Sequence, residues 1–312
     1  MNRLIAAVIV VVCAGLTVHA QPAPSIVADV RAAIANGDFA RGDTALAAYR
    51  KARGVTPEML EALSWMGRGA LAARKLDTAE RYAAETYKLS AALLKSRKLD
   101  EEPRLPIAIG AAIEVLAQVD AQRGARTNAV LFLGQELAAF KATSIEKRIL
   151  KNINLLSLVG TPAPALDTTD HLGVQPPAIV SLKGKVVLLF FWAHWCPDCK
   201  AQAPILARLA DTYGSKGLAI LAPTQRFGYV AGGKSAAADE ETRYIDQVRQ
   251  ASYPVLAGQA IPLSATNHIR YGVSTTPTLV MIDRDGIIRL YHPGSMSHEE
   301  LEPLVRSLVD PS

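Results

Sequence analysis

The chain has 312 residues, of which half are hydrophobic and 20% are charged, and its formal net charge is +5. This composition is typical of globular domains and excludes a disordered chain, and the length suits about two domains. The positive charges are interspersed and form no Lys/Arg block, so nucleic-acid binding is not expected.

Residues 1–20 are predicted to be a secretory signal peptide. Arg3 supplies a short basic region, residues 4–12 an apolar core, and residues 18–20 a stretch of small or apolar residues before the cleavage site. Export implies an oxidising, extracytoplasmic compartment such as a periplasm. The alternative is an uncleaved leader, which would anchor the protein in a membrane. The leader contains Cys13, so its removal leaves only two cysteines.

Residues 21–157 are predicted to form an all-α helical-repeat domain. This region is rich in Ala and has helical periodicity almost throughout. The triplet Asp-Thr-Ala occurs at residues 43–45 and recurs at 77–79, a spacing of 34 residues, and a poorer third copy is predicted at 113–136. The pattern resembles a tetratricopeptide repeat (TPR). Two roles stay open: a groove that binds a partner, or a packing domain without a groove.

The segment at residues 98–106 is predicted to interrupt these helices. It contains two prolines and a cluster of charges, which a helix interior does not tolerate.

Residues 158–312 are predicted to form an α/β domain. Apolar strands are predicted at residues 186–192, 218–222, 278–283 and 287–291, the last two joined by a hairpin turn. Helices are predicted at residues 199–213, 244–251 and 298–308, and an extended or hairpin segment at 174–182. Strands that alternate with helices and end in a hairpin indicate a sheet covered on both faces.

A C-x-x-C motif lies where the first of these strands meets a helix, in the segment Trp195-Cys196-Pro197-Asp198-Cys199. A redox dithiol is expected at such a junction, because the N–H groups and positive pole of the helix stabilise a thiolate on the first cysteine. That thiolate attacks a disulfide, and the second cysteine resolves the mixed disulfide. A structural disulfide would close too short a loop to stabilise much, and a zinc site would lack further ligands.

Pro277 is the second key element, at the start of the third apolar strand. Proline at a strand start is costly unless it has a purpose. A cis Pro277 that faces the cysteines would leave the backbone of Thr276 free to pair with a substrate chain. The alternative is an ordinary trans proline in a turn.

Two segments resemble the thioredoxin-like superfamily: F-W-A-x-W-C-P-x-C-K-x-x-x-P, and Y-G-V-x-x-x-P-T-L-V-x-I-D-x-x-G-x-I. The opening V-G-x-P-A-P is similar to its extracytoplasmic TlpA/ResA-type branch. The resemblance covers about residues 158–309. It implies a thioredoxin fold, with Cys196 as nucleophile, Cys199 as resolving cysteine and Pro277 as the cis proline.

Two carboxylates that are usual in this superfamily are absent. Phe190 stands where thioredoxins carry a buried Asp, and Gln202 stands where ResA-like proteins carry a Glu. Such a carboxylate accepts the proton that the resolving thiol loses, so we expect slower resolution, or substitution by Asp198 or His194. His194 would also favour the Cys196 thiolate when protonated; the alternative is an exposed loop residue. The charge of Asp198 opposes strong thiolate stabilisation, which favours a reductant over a strong oxidant.

Residues 228–235 match the phosphate-loop pattern GxxxxGK[ST]. The preceding strand ends near Ala222, and an exported protein meets little ATP. We therefore interpret this segment as a mobile insertion near the active site, with Phe227 and Tyr229 available to partners.

Two further functions are weaker alternatives. His292, Met296 and His298 offer ligands for copper, but the proline and glycine between them favour a surface turn, so no metal is expected. Peroxiredoxins need a Thr three residues before the reactive cysteine, and this chain has Ala193 there.

The sequence therefore predicts an exported thiol–disulfide oxidoreductase that reduces disulfides in other exported proteins. Its expected partners are disulfide-containing client proteins and a thiol protein that donates electrons. No cofactor is expected beyond the redox-active Cys196–Cys199 disulfide. The second hypothesis is a helical-repeat scaffold whose thioredoxin-like domain is not catalytic.

Overall fold

The computed structural model describes residues 25–310, so the predicted signal peptide lies outside the described residues. The first half of the described chain is helical. Its seven helices are α1 (Ile26–Ala35), α2 (Phe39–Arg53), α3 (Pro57–Ala72), α4 (Leu76–Leu93), α5 (Leu105–Gln122), α6 (Arg126–Ala139) and α7 (Glu146–Ser157).

These helices pack as three consecutive hairpins, α1 with α2, α3 with α4 and α5 with α6, and α7 lies against α5 and α6. Helix α5 is central, with Leu105, Ile109 and Ile113 almost fully buried. Within residues 25–310 it is also the one helix long and apolar enough to cross a membrane, but more than half of it is buried inside this packing. The assignment of the hairpins to the TPR class stays a prediction.

The predicted interruption between α4 and α5 is present. The connection contains only a short 3₁₀ turn, Leu99–Glu101. Helix α5 nevertheless begins at Leu105, one residue before Pro106. Proline is tolerated there because the N–H groups of the first helical turn have no partner within the helix.

The second half alternates strands and helices, as predicted. Its elements are β1 (His171–Leu172), β2 (Val186–Phe191), α8 (Pro197–Tyr213), β3 (Leu218–Leu221), α9 (Ala238–Ser252), β4 (Ile261–Pro262), α10 (Ala265–Arg270), β5 (Thr278–Ile282), β6 (Ile288–Pro293) and α11 (His298–Val309). The main sheet has the order β3-β2-β5-β6, in which only β2 and β3 are parallel. β1 and β4 form a small separate antiparallel pair.

Strand β2 is buried along its whole length because both faces of the sheet are covered. Leu188 and Phe190 join a core formed with α8 and α11. Val187, Leu189 and Phe191 point into a second core on the opposite face. The predicted sheet with two covered faces is therefore confirmed.

Of the extended or hairpin segment predicted at residues 174–182, the hairpin is wrong, and Ala178, just before the final turn, is extended. The structure has β1 before it and a 3₁₀ turn, Ile179–Leu182, at its end. Pro176 and Pro177 lack the backbone N–H groups that a strand ladder requires. Helix α9 also begins earlier than predicted, at Ala238, where three acidic residues in the first turn favour a helix N-terminus.

The two halves of the described chain meet where α7 packs on the segment after α10. The side-chain amide of Asn154 donates to the carbonyl oxygen of Tyr271 at 2.9 Å, and the hydroxyl of Tyr291 donates to the same oxygen at 2.9 Å. Gly272 has φ +61°, and a Cβ atom there would lie 2.6 Å from the backbone nitrogen of Lys151. Only glycine allows this approach. Whether residues 21–157 and 158–312 are independent domains stays a prediction.

Replacement of Gly272 by Ala should lower the free energy of unfolding by about 3 kcal/mol, because it adds a backbone clash to the strain of a positive φ. Gly258→Ala is the matched control, since Gly258 has φ +70° but no atom lies within 4 Å of the position that a Cβ atom would take there. That variant should lose only about 1 kcal/mol. Denaturant unfolding measures both, and equal losses would show that the contact with α7 does not constrain residue 272.

Candidate active site

The two cysteines lie at the N-terminus of α8, directly after the loop that leaves β2. Cys196 is the N-cap residue, and its Sγ accepts a hydrogen bond from the backbone N–H of Cys199 at 3.1 Å. Pro197 occupies the first turn, where its missing N–H costs nothing. The two cysteines form a disulfide with a Cα–Cα distance of 5.3 Å, and both are buried.

The Thr276–Pro277 peptide bond is cis. It faces the disulfide, with the carbonyl oxygen of Thr276 at 3.4 Å from Cys196 Sγ. The sheet explains this proximity, because Phe191 at the end of β2 pairs with Thr278 at the start of β5. The two strands are antiparallel neighbours, so the loop after one and the loop before the other meet at one sheet edge.

Exposed side chains surround the buried sulfurs. Trp195 is 47% exposed, and its ring lies edge-on to Phe227 with 5.6 Å between ring centroids. Pro197 and Asp198 are also exposed. Asp198 therefore faces solvent, which leaves it without the burial that makes a carboxylate an effective proton acceptor for a buried thiol.

His194 is buried, so its interpretation as an exposed loop residue is wrong. Its Nε2 lies 3.3 Å from a carboxylate oxygen of Glu241 on α9, and its ring packs edge-on against Phe227, Tyr229 and Tyr244. Burial lowers the pKa of His194 below its ordinary value, although Glu241 acts in the opposite direction. The ring is therefore mostly neutral near pH 7 and supplies little positive charge to Cys196.

Glu241 is the residue that the sequence interpretation missed. Its carboxylate is buried and accepts hydrogen bonds from the backbone N–H groups of Phe227 and Gly228. These bonds hold the aromatic loop, which we define as residues 223–237, against His194. The acidic run at the start of α9 was visible in the sequence, but nothing there shows that the third acidic residue turns inward.

The phosphate-loop alternative for residues 228–235 is wrong. The N–H of Gly228 is taken by Glu241, and those of Val230 and Gly233 donate to carbonyl groups inside the loop. Helix α9 begins only at Ala238, so no helix N-terminus follows the glycines directly. Phe227 and Tyr229 are partly buried against His194 rather than fully available to partners.

Gln202 and Phe190 occupy the two positions where family carboxylates were expected. Phe190 lies in the same apolar core as the cysteines. Gln202 is buried one turn after Cys199, and its Oε1 accepts from the N–H of Met296 at 2.9 Å. Its Nε2 has no hydrogen-bond partner among the described residues. The surroundings of Cys199 are therefore uncharged at both positions.

Within residues 25–310, no three His, Cys, Asp or Glu side chains lie close enough together to hold a metal ion. Met296, one of the three candidate copper ligands, is itself buried.

Comparison with known proteins agrees with this geometry. Residues 158–308 match the Redoxin family model. The thioredoxin-like protein YneN of Bacillus subtilis is 30% identical over 143 residues, which cover 46% of this chain and 76% of the relative. The thiol:disulfide interchange protein DsbE of Pseudomonas aeruginosa is 30% identical, over 49% of this chain and 79% of the relative. The thiol-disulfide oxidoreductase ResA of Bacillus thuringiensis is 29% identical, over 48% of this chain and 79% of the relative.

The chain belongs to the thioredoxin-like thiol–disulfide oxidoreductases. The predicted fold class, helical region followed by a thioredoxin-like α/β region, is confirmed, and so is the predicted enzyme class. The Redoxin match begins directly after α7, so the seven helices are an addition to the thioredoxin-like part.

Replacement of Glu241 by Ala should lower the free energy of unfolding by about 2–4 kcal/mol, because two backbone N–H groups lose a buried acceptor. Glu240→Ala is the matched control. Glu240 is exposed, and its ion pair with Lys234 is long, at 4.0 Å, so its loss should change the free energy of unfolding by less than about 0.5 kcal/mol. Limited proteolysis should cut the aromatic loop faster only in the Glu241 variant. Equal cleavage of both variants would show that Glu241 does not hold the loop.

The buried position of His268 should make the stability of the thioredoxin-like part decrease at acidic pH. Its ring is buried edge-on to Phe191, and burial lowers its pKa to about 4. As pH falls below about 6.5 the unfolded chain binds a proton there, whereas the native chain does so only near pH 4. Stability should therefore fall by about 2.5 kcal/mol between pH 7.5 and 4.5 through this group.

His268→Gln should remove that part of the pH dependence in denaturant unfolding. His298→Gln, at the partly exposed start of α11, controls for the loss of a histidine. An unchanged pH slope in the His268 variant would assign the acid sensitivity to other groups.

Proposed function

We propose that Cys196 and Cys199 are the catalytic pair of an exported enzyme that reduces disulfides in other exported proteins. The observation that carries the proposal is the position of Cys196. Its sulfur caps α8 and lies 3.4 Å from the carbonyl oxygen of Thr276, which precedes the cis Pro277. One sulfur is thereby placed beside a stretch of backbone that can bind a polypeptide.

The first step is attack by the Cys196 thiolate on a client disulfide. A bond forms between Cys196 Sγ and one client sulfur, and the other client sulfur leaves with the electron pair and takes up a proton. The N–H of Cys199, at 3.1 Å from Cys196 Sγ, and the positive end of α8 stabilise the attacking thiolate.

Cys199 then resolves the mixed disulfide. Its thiol loses a proton and attacks Cys196 Sγ, the second client sulfur leaves as a thiol, and the Cys196–Cys199 disulfide forms. The client gains two electrons and two protons, and a thiol protein must return them to the enzyme. Since Gln202 is neutral and Asp198 is exposed, water or the leaving client thiolate accepts the proton of Cys199.

Client binding is proposed to use the surface around Cys196. The backbone of Thr276 can pair with an extended client segment as an added strand, a mode that accepts many sequences. Trp195, Pro197 and Asp198 are exposed beside the sulfur and are the side chains that a client meets first. His194 is proposed to act on this surface by supporting Trp195 and the aromatic loop rather than by its charge.

Location outside the cytoplasm is proposed from the predicted signal peptide at residues 1–20 and from the chemistry of the pair. An uncleaved leader would make the same enzyme membrane-anchored. No cofactor other than the dithiol is required by these steps, and no nucleic acid takes part.

Replacement of the two cysteines separates their roles. Cys196→Ser should abolish reduction of a disulfide substrate, because the nucleophile is lost. Cys199→Ser should accumulate a mixed disulfide with the client, which non-reducing electrophoresis detects, because nothing resolves it. The double variant is the control and should trap no client. Absence of a mixed disulfide with Cys199→Ser, together with unchanged client binding by Cys196→Ser, would support the scaffold hypothesis instead.

The direction of electron flow follows from the reduction potential of the pair, measured in a dithiothreitol or glutathione buffer. We expect a value near or below about −250 mV, typical of a reductant, whereas a value above about −180 mV would indicate an oxidase or isomerase.

A further inference from the structure

A pocket of about 490 Å³ opens between the helical region and the cis-proline loop. Residues of α3, α5, α7 and the α6–α7 connection line one side, and Ser274 and Thr275 line the other. Its volume lies within the range of ligand sites. We call it the cationic pocket, because three of its lining side chains are Arg68, Arg148 and Lys151.

One carboxylate, that of Glu114, partly compensates these charges inside the pocket. Its Oε2 accepts from Arg148 Nε and Lys151 Nζ, both at 3.0 Å, and from the amide of Asn152 at 3.2 Å. Burial would raise the pKa of Glu114, but Arg148 and Lys151 lower it to about 2, so it is ionised at neutral pH. A single negative charge leaves an excess of two positive charges among the lining side chains.

Arg68 is the cation of the pocket whose side chain makes no direct contact with a carboxylate, although Glu114 and Glu61 are close enough to raise its pKa. It has no hydrogen-bond or ion-pair partner among residues 25–310, and its Nε is buried without a partner. The guanidinium stacks on Trp65 with 4.6 Å to the ring centroid. Glu61, which also acts on the charge of Arg68, pairs instead with Arg104, whose Nη1 donates to Glu61 Oε2 at 2.6 Å.

Burial, followed by repulsion from Arg148, lowers the pKa of Arg68 to about 10. A partly buried guanidinium with unpaired N–H groups is unfavourable, and an incoming carboxylate would relieve this cost with charge-assisted hydrogen bonds. An arginine fork suits a carboxylate better than a lysine does.

The cis-proline loop connects the pocket with the reacting sulfur. Thr275 lines it, and the next residue, Thr276, has its carbonyl oxygen 3.4 Å from Cys196 Sγ. An extended chain advances by about 3.3–3.6 Å per residue, so a client segment that follows this loop from Cys196 would bring a side chain a few residues from its cysteine towards the pocket.

We propose that the cationic pocket binds the carboxylate of an Asp or Glu side chain in the client, close in sequence to the disulfide that is reduced. The helical region then contributes to client selection directly, through Arg68 on α3 and the cations of α7. This inference rests on the proposed reduction of client disulfides at Cys196.

Paired synthetic substrates test the proposal. Two peptides contain the same intramolecular disulfide and differ by Glu or Gln three residues from a cysteine. The full-length enzyme should reduce the Glu peptide with a kcat/KM about tenfold higher than the Gln peptide at low salt, and added salt should diminish the preference. Arg68→Gln should reduce the preference to less than twofold, and Arg68→Lys should retain part of it.

Arg53→Gln is the matched control. Arg53 is an exposed cation of α2 that also lies over an aromatic ring, that of Tyr49, at 5.9 Å from the ring centroid. This variant has the same change of net charge and should keep the full preference. A preference that survives in Arg68→Gln, or that disappears equally in Arg53→Gln, would overturn the assignment.

A small uncharged substrate, bis(2-hydroxyethyl) disulfide, distinguishes failure of the proposed disulfide reduction from failure of the assigned role of the cationic pocket. If the wild-type enzyme reduces neither this compound nor either peptide, the proposed function fails and this inference fails with it. If the enzyme reduces it but reduces the Glu and Gln peptides equally, only the assignment of the pocket fails. Calorimetric binding of inorganic phosphate without any peptide preference would mean that the pocket takes a free anion, which also overturns the assignment to a client.

Discussion

The pairing of β2 with β5 is the constraint on which the active site depends. Phe191 lies opposite Thr278, so the residues after one strand and before the other must meet at the same edge. Cys196 and Pro277 are 81 residues apart in the sequence, yet this register places Cys196 Sγ against the backbone that precedes the proline. The complete burial of β2 between two apolar cores fixes the register, because a slip by one residue would reverse which side chains face each core.

The second constraint is the buried carboxylate of Glu241. Thioredoxin-like enzymes are expected to use a buried carboxylate near the resolving cysteine, and this chain has Phe190 and Gln202 at those two positions. The buried carboxylate of Glu241 belongs instead to α9, and it binds backbone N–H groups of the aromatic loop and lies against the ring of His194. Glu241 therefore holds the aromatic loop in place beside Trp195. In the proposed reaction, Glu241 supports this loop and does not accept the proton of Cys199.

Much of the fold was predictable from the sequence because its signals are local. Apolar runs indicated the strands of the main sheet, the Ala-rich periodicity indicated the helices, and the cysteine motif indicated the N-terminus of α8. The errors have physical reasons. The segment before Ile179 contains two prolines, which a hydrophobic pattern does not take into account. His194 is buried by Glu241 and by three aromatic rings that lie 33 to 50 residues later in the chain. Glu241 and Arg68 depend on tertiary neighbours, which no local pattern contains.

The carbonyl oxygen of Tyr271 links the helical region to the loop that contains the cis proline. It accepts one hydrogen bond from Asn154 of α7 and one from Tyr291 of β6, so the helical region and the sheet share a single acceptor five residues before the cis-proline bond. An excised thioredoxin-like fragment would lose the first donor and uncover the surface at Gly272 that now lies on the α7 backbone. Kinetic constants measured on such a fragment would describe a cis-proline loop without its support from α7.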